Sequence, residues 1–332
     1  MAYIDFAKAF DTVSHSKLLN KLSAYGISGQ LLRWIKRFLS ARTQQTRVGQ
    51  SLSSSIGLTS GVVQGSVLGP LLFVLFINDI TSLFSNNNCT CKLYADDLKM
   101  YTVLRTDADY GNFQNCLDDV CTWSQTWQLT ISHKKCNVMF IGKLHNNASM
   151  RLDGNILPTV NEVKDLGVIV DSDLKFHSHI NSVVARAFIR SNLILKCFVS
   201  RDLPTLTHAF TVYVRPLVEY ATCVWSPHHL TLIKQVESVQ RKFTKRLPGL
   251  QDLNYKSRLA RLGIDSLELR RLRQDLVYTY KILFGLSGDS AADFFSCADL
   301  THNTRGHRYK LLGTCSRTDV RRYFFIERVI KL

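Results

Sequence analysis

Two carboxylates stand side by side in Tyr94-Ala95-Asp96-Asp97, with apolar residues on either side. Like charges this close repel, and partial burial makes the repulsion worse. A divalent cation removes the difficulty, because Mg²⁺ takes carboxylate oxygens and keeps positions open for phosphate. The plainer alternative is a solvated turn that holds two acids, since Asp is a good turn residue. A third acid, Asp5, ends the first predicted strand. Phosphoryl transfer needs acids from separate strands to hold two metals ~3.5–4 Å apart, one activating the attacking hydroxyl and one neutralising the leaving group. Asp5 can supply the second face of such a site; its alternative is an acid that starts a helix. Asp11 is a weaker candidate and is more simply read as helping the first helix begin.

The elements that must position these acids can be read from apolar spacing. Tyr3-Ile4-Asp5-Phe6 is strand-like and runs into a turn at Ala7 to Phe10. Ser14 is placed to cap a helix carrying Leu18, Leu19, Leu22 and Tyr25, which Gly26 stops. A second amphipathic helix carries Leu31, Leu32, Trp34, Ile35 and Phe38, and Ser51 to Ser60 reads as a polar hairpin region. A loop with Gly61, Gly65 and Gly69 opens an apolar helix from Pro70. Lys92 to Tyr101 is predicted as two short strands with the paired acids at their bend. A helix is expected over Phe113–Trp127, then a strand over Val138–Gly142. This order is α+β, without a repeating parallel unit.

From about residue 150 the pattern changes. Val163–Val170 reads as a strand ended by Asp171-Ser172-Asp173, and the chain beyond it is mainly helical. One helix lines Ile233, Val236, Val239, Phe243 and Leu247 along a face, with Lys234, Arg241, Lys242, Lys245 and Arg246 on others, and Pro248-Gly249 ends it. A further helix is expected to turn Leu269, Leu272, Leu276 and Leu283 inward, beside Arg270, Arg271 and Arg273. After Gly285-Leu286-Ser287-Gly288 the chain is basic and poorly patterned.

Composition narrows the function class. The 332 residues are 45% hydrophobic and 20% charged, with 42 Lys and Arg against 26 Asp and Glu, a net charge of +16. Such a charge repels itself in the compact state and suits a polyanionic partner, nucleic acid before an anionic membrane. The nine cysteines include no Cys-x-x-Cys and no His at zinc-finger spacing, so they read as reduced thiols of an intracellular protein. The most apolar run, Pro70–Ile77, is well short of the ~20 residues that cross a bilayer, and the expectation is a soluble chain without a signal peptide.

With these residues in view, a family resemblance is plain. Asp5-Phe6-Ala7-Lys8-Ala9-Phe10-Asp11-Thr12-Val13-Ser14-His15 resembles the first palm motif of reverse transcriptases from non-LTR retrotransposons. Gly61-Val62-Val63-Gln64-Gly65-Ser66-Val67-Leu68-Gly69-Pro70-Leu71-Leu72-Phe73 resembles the second, Tyr94-Ala95-Asp96-Asp97 the third, and Lys135-Cys136 before Val138-Met139-Phe140 the fourth. Leu166-Gly167-Val168 resembles the hairpin that leads to the thumb, and Leu230 to Gly285 resembles the basic region that comes next in these elements. Five motifs in the right order support one another.

The resemblance implies an RNA-directed DNA polymerase that uses Mg²⁺, with Mn²⁺ as a substitute, acting on dNTPs, an RNA template and a DNA primer. It implies a right-hand palm of antiparallel sheet and packed helices over residues 1–160. A thumb-like connection and basic helical region would span 161–285, and a basic C-terminal tail, incomplete, 286–332. Asp5 and Asp96 would hold metal together with the Phe6 carbonyl, and Asp97 would make a weaker contact. Phe10 would lie under the incoming sugar and exclude a 2′-hydroxyl. Gln64, Gly65 and Ser66 would line the nucleotide, glycine allowing close backbone approach. Lys135 would protonate the departing pyrophosphate, with Lys134 as its rival and a solvated surface lysine as the plain alternative. Arg241, Lys242, Lys245 and Arg246 would track nucleic-acid phosphates, or else form the wet face of an amphipathic helix. Trp225, His177 and His179 read as structural.

Only four residues precede Asp5, so the family's fingers, and any endonuclease domain, are expected to be missing and the chain to polymerise poorly alone. The nucleus is the compartment the resemblance implies. Two rivals stay open. One is an RNA-dependent RNA polymerase, against which Phe10 speaks. The other is a catalytically dead, nucleic-acid-binding remnant.

Overall fold

The computed structural model describes residues 1–84, 89–142, 149–297 and 309–331. The chain divides into two compact units, Met1–Asn161 and Glu162–Leu332. Both mix helices with antiparallel strands. Among the described residues no helix is long and apolar enough to cross a membrane.

In the first unit, β1 (Ala2–Ile4) is followed by α1 (Ala9–Thr12), α2 (His15–Ala24) and α3 (Gly29–Leu39). Two nested ladders come next. β2 (Thr43–Gln44) pairs with β5 (Ile56–Gly57), enclosing β3 (Arg47–Val48) and β4 (Ser51–Leu52). The hairpin expected from Ser51 therefore starts eight residues earlier, at Thr43. Its strands are exposed on both faces and carry no apolar alternation that periodicity could detect. α4 (Leu68–Ile77), extended by a 3₁₀ segment over Asn78–Phe84, buries Leu72, Phe73, Phe76 and Ile77. β6 (Thr90–Tyr94) and β7 (Asp97–Tyr101) form a tight hairpin, and α5 (Asp107–Trp127) packs against the 3₁₀ segment. α5 begins six residues before the expected Phe113. Thr106 and Asp109 form a reciprocal capping box there, with Asp109 Oδ2 accepting the Thr106 N–H at 2.7 Å. β8 (Asn137–Val138) is shorter than the strand expected over Val138–Gly142, and a second small hairpin joins β9 (Arg151–Leu152) to β10 (Asn155–Ile156).

The central sheet runs β6-β7-β1-β8 and is antiparallel throughout. Its buried face, with Ala2, Ile4, Leu98, Met100 and Val138, meets the apolar sides of α2, α4 and α5. One charge is buried among them. Lys21 of α2 donates to the Phe76 carbonyl and to Asp79, and its ammonium lies 3.7 Å from the Trp127 ring centroid and 4.7 Å from those of Phe76 and Trp123. Trp123 Nε1 donates to the same Asp79 oxygen at 3.1 Å. Burial pulls the Lys21 pKa down to about 8, against the pull of Asp79.

The second unit opens with β11 (Glu162–Asp165) and β12 (Val168–Asp171). The single strand expected over Val163–Val170 is thus a hairpin, turned by Leu166 and Gly167 at φ 44° and 88°. Tyr220 donates its hydroxyl to the Leu166 carbonyl at 2.9 Å and holds that turn. Helices α6 (His177–Cys197), α7 (Leu203–Tyr213), α8 (Arg215–Glu219), α9 (Thr222–Trp225) and α10 (Leu230–Lys245) build the main core. Val183, Val184, Ala187 and Ile194 of α6 lie in one cluster with Val236, Val239 and Phe243 of α10. Trp225 donates Nε1 to the Tyr220 carbonyl, and His179 accepts the Ile169 N–H at Nδ1. Burial pushes His179 down to about 4, so it stays neutral in the core.

α11 (Tyr255–Leu262) and α12 (Leu267–Leu283) come after it, then the short α13 (Ala291–Phe294), α14 (Asp319–Arg322) and α15 (Phe325–Ile330). Residues 298–308 and 332 of the expected C-terminal tail lie outside the described residues. α12 corrects the sequence reading. Leu269 and Leu276 are 42% and 47% exposed, while Arg271, Asp275 and Thr279 are buried. A partner from far along the chain meets that polar face: Arg328 of α15 forks onto both Asp275 oxygens at 2.8 and 2.9 Å. Arg328 also donates to the carbonyls of Thr222 and Cys223.

Candidate polymerase active site

The strand register brings the acids to one end of the central sheet. Ile4 pairs with Leu98. That pair ends the ladder: Asp5 follows Ile4 out of β1, and Asp97 precedes Leu98 in β7, with Asp96 next to it in the turn. Ile4 and Leu98 are buried, so Asp5 and Asp97 project from the opposite face. Tyr94 pairs with Asp97, leaving Ala95 and Asp96 as a two-residue turn. Ala95 sits at φ 52°, a left-handed conformation that costs a residue with a Cβ roughly 1–2 kcal/mol. Strained backbone of this kind collects at functional sites.

Asp5 is fixed from the other side by the segment leading into β8. Its carbonyl accepts the Ser132 N–H at 2.8 Å, and its N–H donates to Cys136 Sγ at 3.4 Å. Ala7 donates to the Thr130 carbonyl at 2.8 Å, and Phe6 bridges Ile131. In such an arrangement the N–H and C=O of Phe6 turn away from Ile131, toward the β7 side. Lys135 reaches across to Asp5, with Nζ 3.2 and 3.4 Å from the two carboxylate oxygens. The Lys135 side chain is 66% exposed and Asp5 28%, so the pair is easily exchanged. The sequence marks Cys136 only as a member of the fourth motif, without a contact. Its thiol, pushed up to about 11 by burial, contacts both backbone groups of Asp5.

The glycine-rich loop is fastened beside the first motif. Gly61 donates its N–H to the Val13 carbonyl, and Val62 donates to the Phe10 carbonyl, both at 2.8 Å. A Cβ on Gly61 would lie 2.8 Å from the Asp11 carbonyl oxygen, and φ there is 92°. His15 Nε2 meets the Gly61 carbonyl at 2.7 Å, and Gln64 donates to Asp11 Oδ1 at 2.7 Å. Phe10 stacks on Phe73 of α4 with ring centroids 4.2 Å apart. Gly65 is at φ 79° with open space where a side chain would project. Ser66 Oγ donates to the Val63 carbonyl and accepts the Gly69 N–H, closing the loop onto α4. A cleft of about 660 Å³ lies against this loop, lined by Lys8, Asp11, His15, Arg42 and Gln64 among others. Spacing along the chain does not point to Lys8, His15 or Arg42, and it marks Asp11 only as a weak metal candidate. The fold gathers them by bringing the first motif and the glycine motif together in space.

Hard oxygen donors at the end of a sheet suit Mg²⁺, which commonly takes one or two carboxylates and completes its shell with phosphate and water. The expected joint set of Asp5, Asp96 and Asp97 is, however, not a preformed cage. Among the described residues no three His, Cys, Asp or Glu side chains are grouped so as to hold a metal ion. Like-charge repulsion favours that spacing, and Lys135 already neutralises Asp5. The basic residues of α10 belong to the second unit. Arg241 lies over the Tyr255 ring at 4.4 Å, Lys242 over Phe188 at 4.8 Å, and Arg246 donates to Asn192.

Residues 1–170 match the family model "Reverse transcriptase (RNA-dependent DNA polymerase)". The chain belongs to the reverse transcriptase family. Among curated proteins it is similar to the RNA-directed DNA polymerase from mobile element jockey of Drosophila funebris, 30% identical over 74% of this chain and 28% of that one. It is also similar to a probable RNA-directed DNA polymerase from transposon X-element of Drosophila melanogaster, 26% identical over 75% of this chain and 28% of that one. These relatives place it with the non-LTR elements; the chain spans 28% of their length. Of solved structures, a telomerase from Candida tropicalis overlaps 86% of this chain and 47% of its own at 12% identity, with a TM-score of 0.42.

Proposed function

We propose that this chain carries the nucleotidyl-transfer site of an RNA-directed DNA polymerase, adding dNTPs to a DNA primer on an RNA template. The observation that supports the reading is the Ile4–Leu98 pair that ends the β1–β7 ladder, because Asp5 follows Ile4 and Asp97 precedes Leu98 beside the Ala95–Asp96 turn. The first unit then corresponds to a palm and the helical part of the second to a thumb.

In this reading Asp5, Asp96 and the Phe6 carbonyl hold Mg²⁺, or Mn²⁺ in its place, and Asp97 lends charge nearby. Bound there, the metal would activate the primer hydroxyl and stabilise the leaving pyrophosphate. Lys135 screens Asp5 in the free chain. On release it is placed to donate a proton to the pyrophosphate. Phe10, braced by Phe73, presents an aromatic edge that leaves no room for a 2′-hydroxyl. Gln64, held by Asp11, lines the nucleotide with Gly65 and Ser66, where the absent side chain of Gly65 lets the ligand approach the backbone.

Mn²⁺ binding followed by electron paramagnetic resonance, with dNTP present, tests the site directly. The expected result is a bound signal that Asp5→Asn and Asp96→Asn each abolish. An unchanged signal in both variants overturns the assignment. Single-nucleotide extension of a DNA primer on RNA, with dNTP against rNTP, reads the specificity assigned to Phe10.

A further inference from the structure

The glycine motif has no regular structure before Leu68, yet it is seated on the first motif by a set of fixed contacts. Gly61 and Val62 donate their N–H groups to the Val13 and Phe10 carbonyls, and Ser60 donates its hydroxyl to the Asp11 carbonyl at 2.9 Å. Two further contacts come from side chains of the first motif. His15 Nε2 lies 2.7 Å from the Gly61 carbonyl, and Asp11 Oδ1 accepts from Gln64 at 2.7 Å. A carbonyl oxygen only accepts, so His15 carries a proton on Nε2 in this contact.

The two side chains act on different parts of the loop. His15 is half-buried and opens α2. Together with the Val13 carbonyl it bonds both backbone groups of Gly61 to the corner between α1 and α2. Asp11 is exposed, as is Gln64. Among the described residues no cation lies within ion-pair distance of Asp11, although Lys8 and Arg42 line the same cleft. A solvated hydrogen bond adds little to folding, because water replaces it when it breaks. What the Asp11 contact fixes is the direction of the Gln64 amide. His15 thus sets where the loop begins, and Asp11 sets how Gln64 is turned.

We propose that His15 and Asp11 are positioning residues of the nucleotide site. His15 seats the stem of the glycine loop and Asp11 orients Gln64, so that Gln64, Gly65 and Ser66 stand at a fixed distance from Phe10. The proposal rests on the reading of the chain as a polymerase. It takes Asp11 out of the metal set, because its carboxylate serves the loop. A nucleotide held between two segments loses affinity when either one drifts, so the effect of both residues belongs in dNTP binding before turnover.

The test uses the full chain. Single-nucleotide extension of a DNA primer on RNA gives KM and kcat for dNTP, a Mn²⁺–dNTP titration followed by electron paramagnetic resonance gives affinity without turnover, and hydrogen exchange reads the amides of residues 61–69. His15→Ala and Asp11→Ala should each raise KM and weaken dNTP affinity ~5- to 10-fold, the size of one hydrogen bond, with kcat within about 3-fold of the parent. His15→Ala should also speed exchange over 61–69. His15→Gln carries an N–H that reaches the same carbonyl and Asp11→Asn keeps an acceptor oxygen, so both should restore dNTP affinity, which guards against misfolding as the cause. Because Asp11 acts through Gln64, Asp11→Ala/Gln64→Ala should bind dNTP no more weakly than Gln64→Ala alone. Unchanged dNTP affinity in the two alanine variants overturns the proposal, and so do losses that simply add in the double variant. A collapse of kcat in Asp11→Ala together with loss of the bound Mn²⁺ signal overturns it as well, and returns Asp11 to the metal. These outcomes all require a parent chain that binds dNTP. A parent that binds none rejects the polymerase reading itself, and leaves faster exchange in His15→Ala as the mark of a purely structural clasp.

Discussion

Each unit contains a carboxylate held by a basic side chain, and the two pairs are built for opposite ends. Asp5 meets Lys135 at the open end of a sheet, with the lysine 66% exposed. Asp275 meets Arg328 at 5% and 15% exposure, gripped by two parallel bonds. A solvated lysine is a compact point charge that can leave, whereas a forked guanidinium in a dry setting cannot. Burial and the forked guanidinium together separate a carboxylate available to a ligand from one committed to the fold.

The sharpest way to break that contrast is at the exchangeable pair. Asp5→Asn, with Lys135 unchanged, should cut primer extension by at least ~10³-fold, about 4 kcal/mol of barrier, while urea unfolding moves little. A large loss of stability with activity retained would reverse the roles of the two pairs. Next in size, Arg328→Ala strands a buried acid and should cost roughly 3–5 kcal/mol in chemical denaturation. Lys135→Ala should cost less than about 1 kcal/mol, as exposed pairs do.

Lys21 sharpens the comparison further, as a buried cation whose acid partner only partly offsets its desolvation. Its folded pKa, about 8, lies below the ordinary 10.5. Between those values the unfolded chain binds more protons than the folded one, so stability rises with pH across that window and levels off above it. Urea midpoints measured from pH 7.5 to 11 should show the rise, and Lys21→Met should remove it. The smallest effect is expected at the hairpin turn. Ala95→Gly relieves a left-handed conformation and should stabilise by about 0.5–1 kcal/mol, read from the same denaturation curves.

Much of the first unit is legible in the sequence because its cues are local. The paired acids appear at a bend as spacing places them, β1 ends one residue before Asp5, and the apolar helix after the glycine loop begins at Leu68, two residues before the expected Pro70. α10 is legible for the same reason, through a continuous apolar face. The failures have a common physical origin. Apolar spacing turns all four leucines of α12 inward, but Leu269 and Leu276 face out while Asp275 is buried against Arg328, more than fifty residues later, and local periodicity carries no trace of that partner. The β2–β5 ladder is polar on both faces, so alternation cannot reveal it. The buried face of α5 starts only at Phe113, so apolar spacing sets the boundary there, past the capping box at Thr106 and Asp109 that begins the helix. The Lys135–Asp5 pair comes from a turn over residues 132–136: Ser132 donates to the Asp5 carbonyl and accepts from Lys135, which brings the lysine to the Asp5 carboxylate, and no local spacing marks that turn.

Cys136 carries a consequence for anyone who handles this protein. Its sulfur touches the backbone of Asp5, yet burial keeps it protonated up to about pH 11. Oxidants and alkylating reagents attack the thiolate. Cys197, Cys297 and Cys315 lie open to solvent, so a thiol-directed dye or spin label should decorate those three first and spare the end of the sheet that holds Asp5.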